Sequence, residues 1–266
     1  MMLQERIKQI EDIRRSDPSE ASQHTQTIFH TLLQSDLPPA EKATGRLAEE
    51  AVLLVGAGTH TTSWCLTVIA FHLLSNPVLL RRLKEELGPV YQSSNGKPSL
   101  QDLEKLPFLT GVVKEGLRLG YGGVARSARI APDVSLQCGD WTIPPGTPVS
   151  MTIPLTHHDE SIFPKSDTFM PDRWMQNDSH QLDKYLVSFS KGSRVCVGMN
   201  LAWAELYVCT AGVFSQFGSR EVQDAGDVGT FKLHETDESD VAMASDMFFP
   251  APKADSKGVR IEVTSN

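Results

Sequence analysis

A mainly helical fold with small β elements is what three features of this sequence predict. Residues 51–74 carry no Asp, Glu, Lys or Arg, which suits one long apolar helix. Residues 101–119 set Leu103, Leu106, Leu109, Val112, Val113 and Leu117 at helical spacing. By contrast, the chain from Val134 to Ile153 is cut by Cys138-Gly139-Asp140 and Pro145-Gly146, leaving room only for short strands.

The elements follow in order. Residues 1–37 read as helices broken at Asp17-Pro18 and Leu37-Pro38. Met1 to Arg15 mixes charges with Leu3, Ile7, Ile10 and Ile13 and has no apolar run of the kind a signal peptide or anchor needs. A long helix is predicted over about 39–75. It is long enough to cross a bilayer, but its centre, Gly56-Ala57-Gly58-Thr59-His60-Thr61-Thr62-Ser63, is polar and Gly-broken, so a helix buried in a soluble core is the better reading. Asn76-Pro77 opens the next helix, about 77–87, which Gly88-Pro89 should stop. A polar loop, 92–98, leads to the helix of about 101–119. Val134 to Ile143 reads as a hairpin and Val149 to Ile153 as a short strand. Phe163 to Asp183 should be mostly loop. Met199 to Phe217 is apolar on nearly all sides, so a buried helix is expected over about 199–217. The acidic tail returns to strand-like Val259 to Val263. No internal repeat or clean linker divides residues 1–266, which read as one domain.

Composition narrows the function. Apolar residues are 40%, charged residues 22% and the formal charge is −8, a globular pattern. An acidic chain without a basic run argues against nucleic acid as a partner. Cys65, Cys138, Cys196 and Cys209 are far apart with no CxxC pair, which excludes a disulfide scaffold and the usual zinc-knuckle spacings.

The most informative segment is Phe189-Ser190-Lys191-Gly192-Ser193-Arg194-Val195-Cys196-Val197-Gly198, just before the predicted 199–217 helix. Gly192 and Gly198 let the loop fold back so that backbone N–H groups can face the sulfur. Such bonds and the helix N-terminus stabilise a thiolate. Phe189 can shield the sulfur from water, and Arg194 suits a carboxylate. This is the chemistry of a thiolate metal ligand facing a cofactor that bears carboxylates.

The pattern F-x-x-G-x-R-x-C-x-G resembles the haem-ligand signature of the cytochrome P450 family. Five fixed positions should coincide by chance in roughly one in 10⁴ chains of this size or fewer. Three further pieces are in the right order. Glu115 and Arg118, at i and i+3 on one helix face, resemble the family's ExxR pair. Pro171-Asp172-Arg173-Trp174 resembles its PxRx element, which implies a structural Glu115–Arg118–Arg173 cluster. Ala57-Gly58-Thr59-His60-Thr61-Thr62 resembles the oxygen-pocket motif. There Gly58 weakens the helix, and Thr61 can bond back to the Ala57 carbonyl and help pass protons. The motif's acidic position is held by His60, which can relay protons itself or be a tolerated polar neighbour. Arg129 stands where the family often places a second arginine on a haem propionate, with Arg126 as the competing choice. His157-His158-Asp159 resembles the H-R-D loop. Adjacent histidines on an extended chain face opposite ways, so a structural role is expected.

The resemblance implies the C-terminal half of this fold, with the N-terminal half missing. The missing helices should leave a face of the long helix uncovered. It also implies a haem-dependent monooxygenase that inserts one oxygen atom of O2 into a lipophilic small molecule, in fungal secondary metabolism. Cys196 would hold the haem iron, with Arg194, Arg129, Phe189, Gly192, Gly198, Ala57 and Gly58 around the cofactor. Thr61 and His60 would be catalytic. Electrons would come from NADPH through a separate reductase. Family members of this type are anchored in the endoplasmic reticulum membrane. The alternatives are an inactive remnant with little stable haem, or half of a split enzyme whose N-terminal half is supplied separately. Met1-Met2, inside what resembles a mid-family helix, implies a shortened product or an incomplete gene model.

Overall fold

The computed structural model describes residues 5, 7, 8, 11, 12, 15, 27–176 and 179–265. The chain divides into two compact units, 1–60 and 61–266. The division falls inside helix α2.

In the first unit, α1 (Ile28–Gln34) precedes α2 (Thr44–Ser75). Leu47 and Ala48 of α2 are buried, with Ile7, Phe29, Leu32 and Leu33 packed against them. Arg46 pairs with Glu50 one turn on and with Glu41. Residues 52–60 are all exposed, among them Val52, Leu53, Leu54 and Val55. The expectation of a helix buried along its length therefore fails for this half. By length and composition α2 could cross a membrane (mean hydropathy 1.4 over 18 residues), and 17% of that stretch is buried.

The second unit is built on the rest of α2 with α3 (Pro77–Ser93), α4 (Leu100–Leu103), α5 (Pro107–Gly120) and α7 (Met199–Phe214). Their shared core includes Ile69 and Leu73, Leu80, Leu83 and Leu87, Leu109 and Val112, and Leu206 and Phe214. Pro77 stands in the first turn of α3 as expected, and Asn76 caps the helix, its Oδ1 accepting from the N–H groups of Val78 and Leu79.

Gly88-Pro89 does not stop α3, which runs on to Ser93. A proline inside a helix costs about 3 kcal/mol. Here the buried stripe Leu79, Leu80, Leu83 and Leu87, with Val90 and Tyr91 packed on the same core, offsets it. The helix predicted over 101–119 is two helices, because the chain breaks at 104–106 and restarts at Pro107. The carboxylate of Glu86 on α3 caps the restart, accepting from the N–H groups of Phe108 and Leu109 at 2.8 and 2.7 Å. Helix α7 ends at Phe214 and buries only one face: Leu201 and Val208 on the other are exposed.

The β elements are small. β1 (Arg129–Ile130) pairs with β4 (Pro148–Val149), and the β2–β3 hairpin (Leu136–Cys138, Trp141–Ile143) turns at Gly139-Asp140 as predicted. The strand expected over 149–153 stops at Val149, and Ile153 opens helix α6 (Ile153–His157). β5 (Phe217–Ser219), β6 (Gly229–Leu233) and β9 (Ile261–Ser265) form a mixed sheet with β6 central. β7 (Ser245–Met247) pairs with β8 (Phe249–Ala251).

Candidate functional site

Helix α5 carries a buried carboxylate paired on every side. The Glu115 carboxylate is fully buried and accepts five hydrogen bonds. Two come from Arg118 (3.0 and 2.8 Å) and one each from Arg173 Nε (3.0 Å), Trp174 Nε1 (2.8 Å) and the Met170 N–H (2.9 Å). Arg118 spends its other N–H groups on the carbonyls of His157, Ser166 and Thr168. Arg173 does the same with Pro164 and Lys165. Phe163, fully buried, lies beneath both guanidinium groups. The cluster ties α5 to residues 157–174, as expected of a structural element. Trp174 is the member that the sequence reading did not place in it.

The two adjacent histidines face different neighbours. His157 turns inward and is fully buried. His158 meets the buried Tyr121 hydroxyl at 2.5 Å through Nε2, while its Nδ1 lies 3.1 Å from Asp167. Burial pushes the Tyr121 phenol up to about 12 and pulls His158 below the ordinary histidine value.

The cysteine loop is held differently. Ser190 and Gly192 adopt positive φ, and the Cys196 N–H donates to the Phe189 carbonyl at 2.9 Å, closing the loop. Gly192, at φ +76°, takes the left-handed backbone that glycine permits. Gly198 does not: its φ is −85°, and it serves as N-cap of α7, where a Cβ would sit 3.9 Å from the Cys196 sulfur. No described hydrogen bond ends on that sulfur. The Phe189 ring lies against Trp203, which lies against Tyr207, whose hydroxyl meets Thr110 of α5. Phe189 thus anchors the loop to the core, while Cys196 itself is exposed.

Arg194 closes the short 3₁₀ turn Gly192–Arg194 and is exposed, with Val195 and Val197 exposed beside it. Arg129 is exposed on β1, and Arg126 is exposed in the loop before it. None of the three arginines has an acidic partner among the described residues. An open thiol with an apolar rim, plus unpaired guanidinium groups, fits a flat apolar ligand bearing carboxylates.

Ala57, Gly58 and His60 lie in the exposed part of α2 within the first unit, and Thr61 opens the second. The helix is continuous through all four. Two contributors escaped the sequence reading. Glu86 acts across helices, so no local pattern marks it. Trp174 was visible beside Arg173, but an indole N–H has no sequence period that points to its acceptor.

The family model described as Cytochrome P450 matches residues 1–232. Cytochrome P450 monooxygenase tpcC of Cochliobolus heterostrophus is 46% identical over 90% of this chain and 46% of its own length. Cytochrome P450 monooxygenase astB of Talaromyces wortmannii is 42% identical over 99% of this chain and 56% of its own. Tryptophan 6-hydroxylase fscE of Fusarium equiseti is 44% identical over 89% and 44% respectively. The chain spans about half the length of the curated relatives it matches. Among solved structures, retinoic acid bound cyanobacterial CYP120A1 superposes with a TM-score of 0.76 at 23% identity, over all of this chain and 55% of that one.

Proposed function

Because the chain belongs to the cytochrome P450 family, we propose that the Cys196 thiolate would hold a haem iron, and that this chain forms the haem-bearing side of a monooxygenase acting on a lipophilic small molecule in fungal secondary metabolism. The observation that carries the reading is the loop itself: a cysteine fixed by its backbone bond to Phe189, with its sulfur open to solvent at the head of α7. A haem held there would supply dioxygen activation, with the thiolate favouring O–O cleavage.

The chain's own residues divide the remaining work. Arg194, with Arg129 or Arg126, neutralises the propionates. Gly192 lets the backbone turn beneath the sulfur, and Phe189 keeps the loop seated on Trp203. On the sequence pattern, Ala57 and Gly58 leave room on the helix. The Thr61 hydroxyl hands on a proton, with the His60 imidazole as a second carrier. Electrons come from NADPH through a separate reductase. The relatives' names support a monooxygenase, and one of those relatives is named for hydroxylating tryptophan.

The test is the carbon-monoxide difference spectrum of the reduced, haem-reconstituted chain. A Soret band with the thiolate red shift, lost in Cys196→Ala, is expected. A band without it, or no stoichiometric haem, would overturn the proposal and leave a non-enzymatic remnant. A second reading, a half-enzyme completed by another polypeptide, is favoured by the exposed run Val52, Leu53, Leu54 and Val55. Co-purification of a covering chain with restored turnover decides for it.

A further inference from the structure

One side chain touches both the buried glutamate helix and the backbone that leads into the cysteine loop. His157, the last residue of α6, is fully buried. Its Nδ1 lies 2.7 Å from the carbonyl oxygen of Arg118, and its Nε2 lies 3.1 Å from the backbone nitrogen of Val187. A carbonyl can only accept and a peptide N–H can only donate. The two partners therefore fix the ring: Nδ1 carries the hydrogen and donates, and Nε2 is bare and accepts. The other neutral tautomer, or the imidazolium, would set a hydrogen against the Val187 N–H.

What Val187 does next gives this bond its reach. Its carbonyl accepts from the Ser190 N–H at 2.7 Å, and the intervening Phe189 carbonyl accepts from the Cys196 N–H. Beside it, the Ser188 hydroxyl donates to the Leu117 carbonyl at 2.8 Å. The path from the Glu115–Arg118 turn to the cysteine thus passes through one imidazole and two peptide bonds of loop. Tyr121 and Phe163 flank the ring at 6.2 Å. The charged or titratable groups that act on it are Arg118, His158 and Glu115, and burial holds it neutral, with a pKa of about 4.

We propose that His157 is a positioning residue, a tautomer-locked strut that transmits the placement of the Glu115–Arg118 helix to the backbone presenting Cys196. The strut stands on its own geometry; only its consequence for haem ligation rests on the function proposed above.

Two variants separate a strut from an ordinary core histidine. In His157→Asn the amide reaches only as far as Nδ1. It keeps a donor for Arg118 but leaves the Val187 N–H without an acceptor. In His157→Gln the amide oxygen reaches the Nε2 position and keeps the Val187 bond. Amide hydrogen exchange of the whole chain is the readout. His157→Asn should speed exchange at Val187 and Cys196 by about tenfold, with the amides of Leu117 to Gly120 unchanged. His157→Gln should stay within about twofold of wild type at the loop. An unchanged loop in His157→Asn, or equal acceleration in loop and helix, overturns the proposal.

If His157→Asn does not fold, histidine nitrogen chemical shifts of the wild-type chain decide. A protonated Nδ1 and a bare Nε2 are expected, and the reverse tautomer or an imidazolium at neutral pH overturns it. In haem-loaded protein, His157→Asn should lower the fraction of carbon-monoxide-bound haem with the thiolate red shift, and His157→Gln should restore it. Absence of that shift in wild type counts against Cys196 as ligand, and the strut then stands or falls on amide exchange alone.

Discussion

The Glu115 cluster and the Cys196 loop both carry arginines, and they solve opposite problems. In the first, one carboxylate accepts five hydrogen bonds and both guanidinium groups are spent on it and on backbone carbonyls, all out of water. In the second, the thiol is open to solvent and Arg194 is exposed without an acidic partner among the described residues. A buried charge must be satisfied by the chain itself. An exposed one can wait for a ligand. The cluster therefore belongs to folding and, on the function proposed above, the loop belongs to binding, although the two are neighbours along His157 and Ser188.

The sharpest way to break this contrast is to remove one group from each side. Glu115→Ala leaves two buried guanidinium groups without their counter-ion and should cost about 3–5 kcal/mol in urea unfolding, enough to leave a marginal domain largely unfolded. Cys196→Ala removes an exposed side chain and should leave the unfolding midpoint of the haem-free chain where it was. A Cys196→Ala loss as large as that of Glu115→Ala would mean that the loop is part of the folding core.

Acid should separate the regions next, because the buried side holds histidines neutral. His157 has its pKa pulled down to about 4 by burial, as does His72, which stacks on Phe169 at 4.7 Å. Between about pH 6.5 and 4 the unfolded chain takes up protons that the folded chain refuses. Stability is therefore complete above about pH 6.5 and falls as the pH drops toward 4. His157 alone is worth about 3 kcal/mol over that window. Urea midpoints measured from pH 7.5 to 4.5 check this, and His72→Phe should flatten the slope. A flat wild-type profile would show that these rings are not held neutral.

How much of this was legible follows the same division. The cysteine loop stood out as a candidate because its pattern sits in ten consecutive residues. The Glu115–Arg118–Arg173 cluster was readable because two members share one helix turn and the third sits in a short motif. The exposed half of α2 was misread from its composition, because a charge-free run looks the same whether or not anything packs on it; the uncovered face came only from the family resemblance. Pro89 inside α3 and the restart at Pro107 were misread because the deciding groups lie across the fold: the leucine stripe on one side and the Glu86 carboxylate on the other. His157 was placed as structural, but no sequence period could show that its two nitrogens meet a carbonyl from α5 and an amide from the loop.

The seam between the regions offers a smaller effect. Gly122 has φ +86°, and a Cβ there would lie 2.5 Å from the Ser188 carbonyl oxygen. Both the left-handed backbone and the contact with main chain oppose any side chain. Gly122→Ala should cost about 1–3 kcal/mol, with the change in amide exchange concentrated at 187–190 rather than in α5. Exchange altered equally along α5 would place the strain in the cluster and not at the seam.

The smallest effect on folding is the one that tests the binding side most directly. The Arg194 side chain has no ion-pair partner among the described residues. Arg194→Ala should therefore move the unfolding midpoint of the haem-free chain by no more than about 0.5 kcal/mol. On the function proposed above, the Arg194 guanidinium pairs with a carboxylate of the ligand. The same substitution should raise the rate at which reconstituted haem is lost to a haem-scavenging protein by about tenfold, while Arg220→Ala, which removes another exposed arginine, leaves that rate unchanged. If Arg194→Ala destabilises the haem-free chain and leaves haem loss untouched, the arginine belongs with Arg118 and Arg173 on the folding side of the comparison.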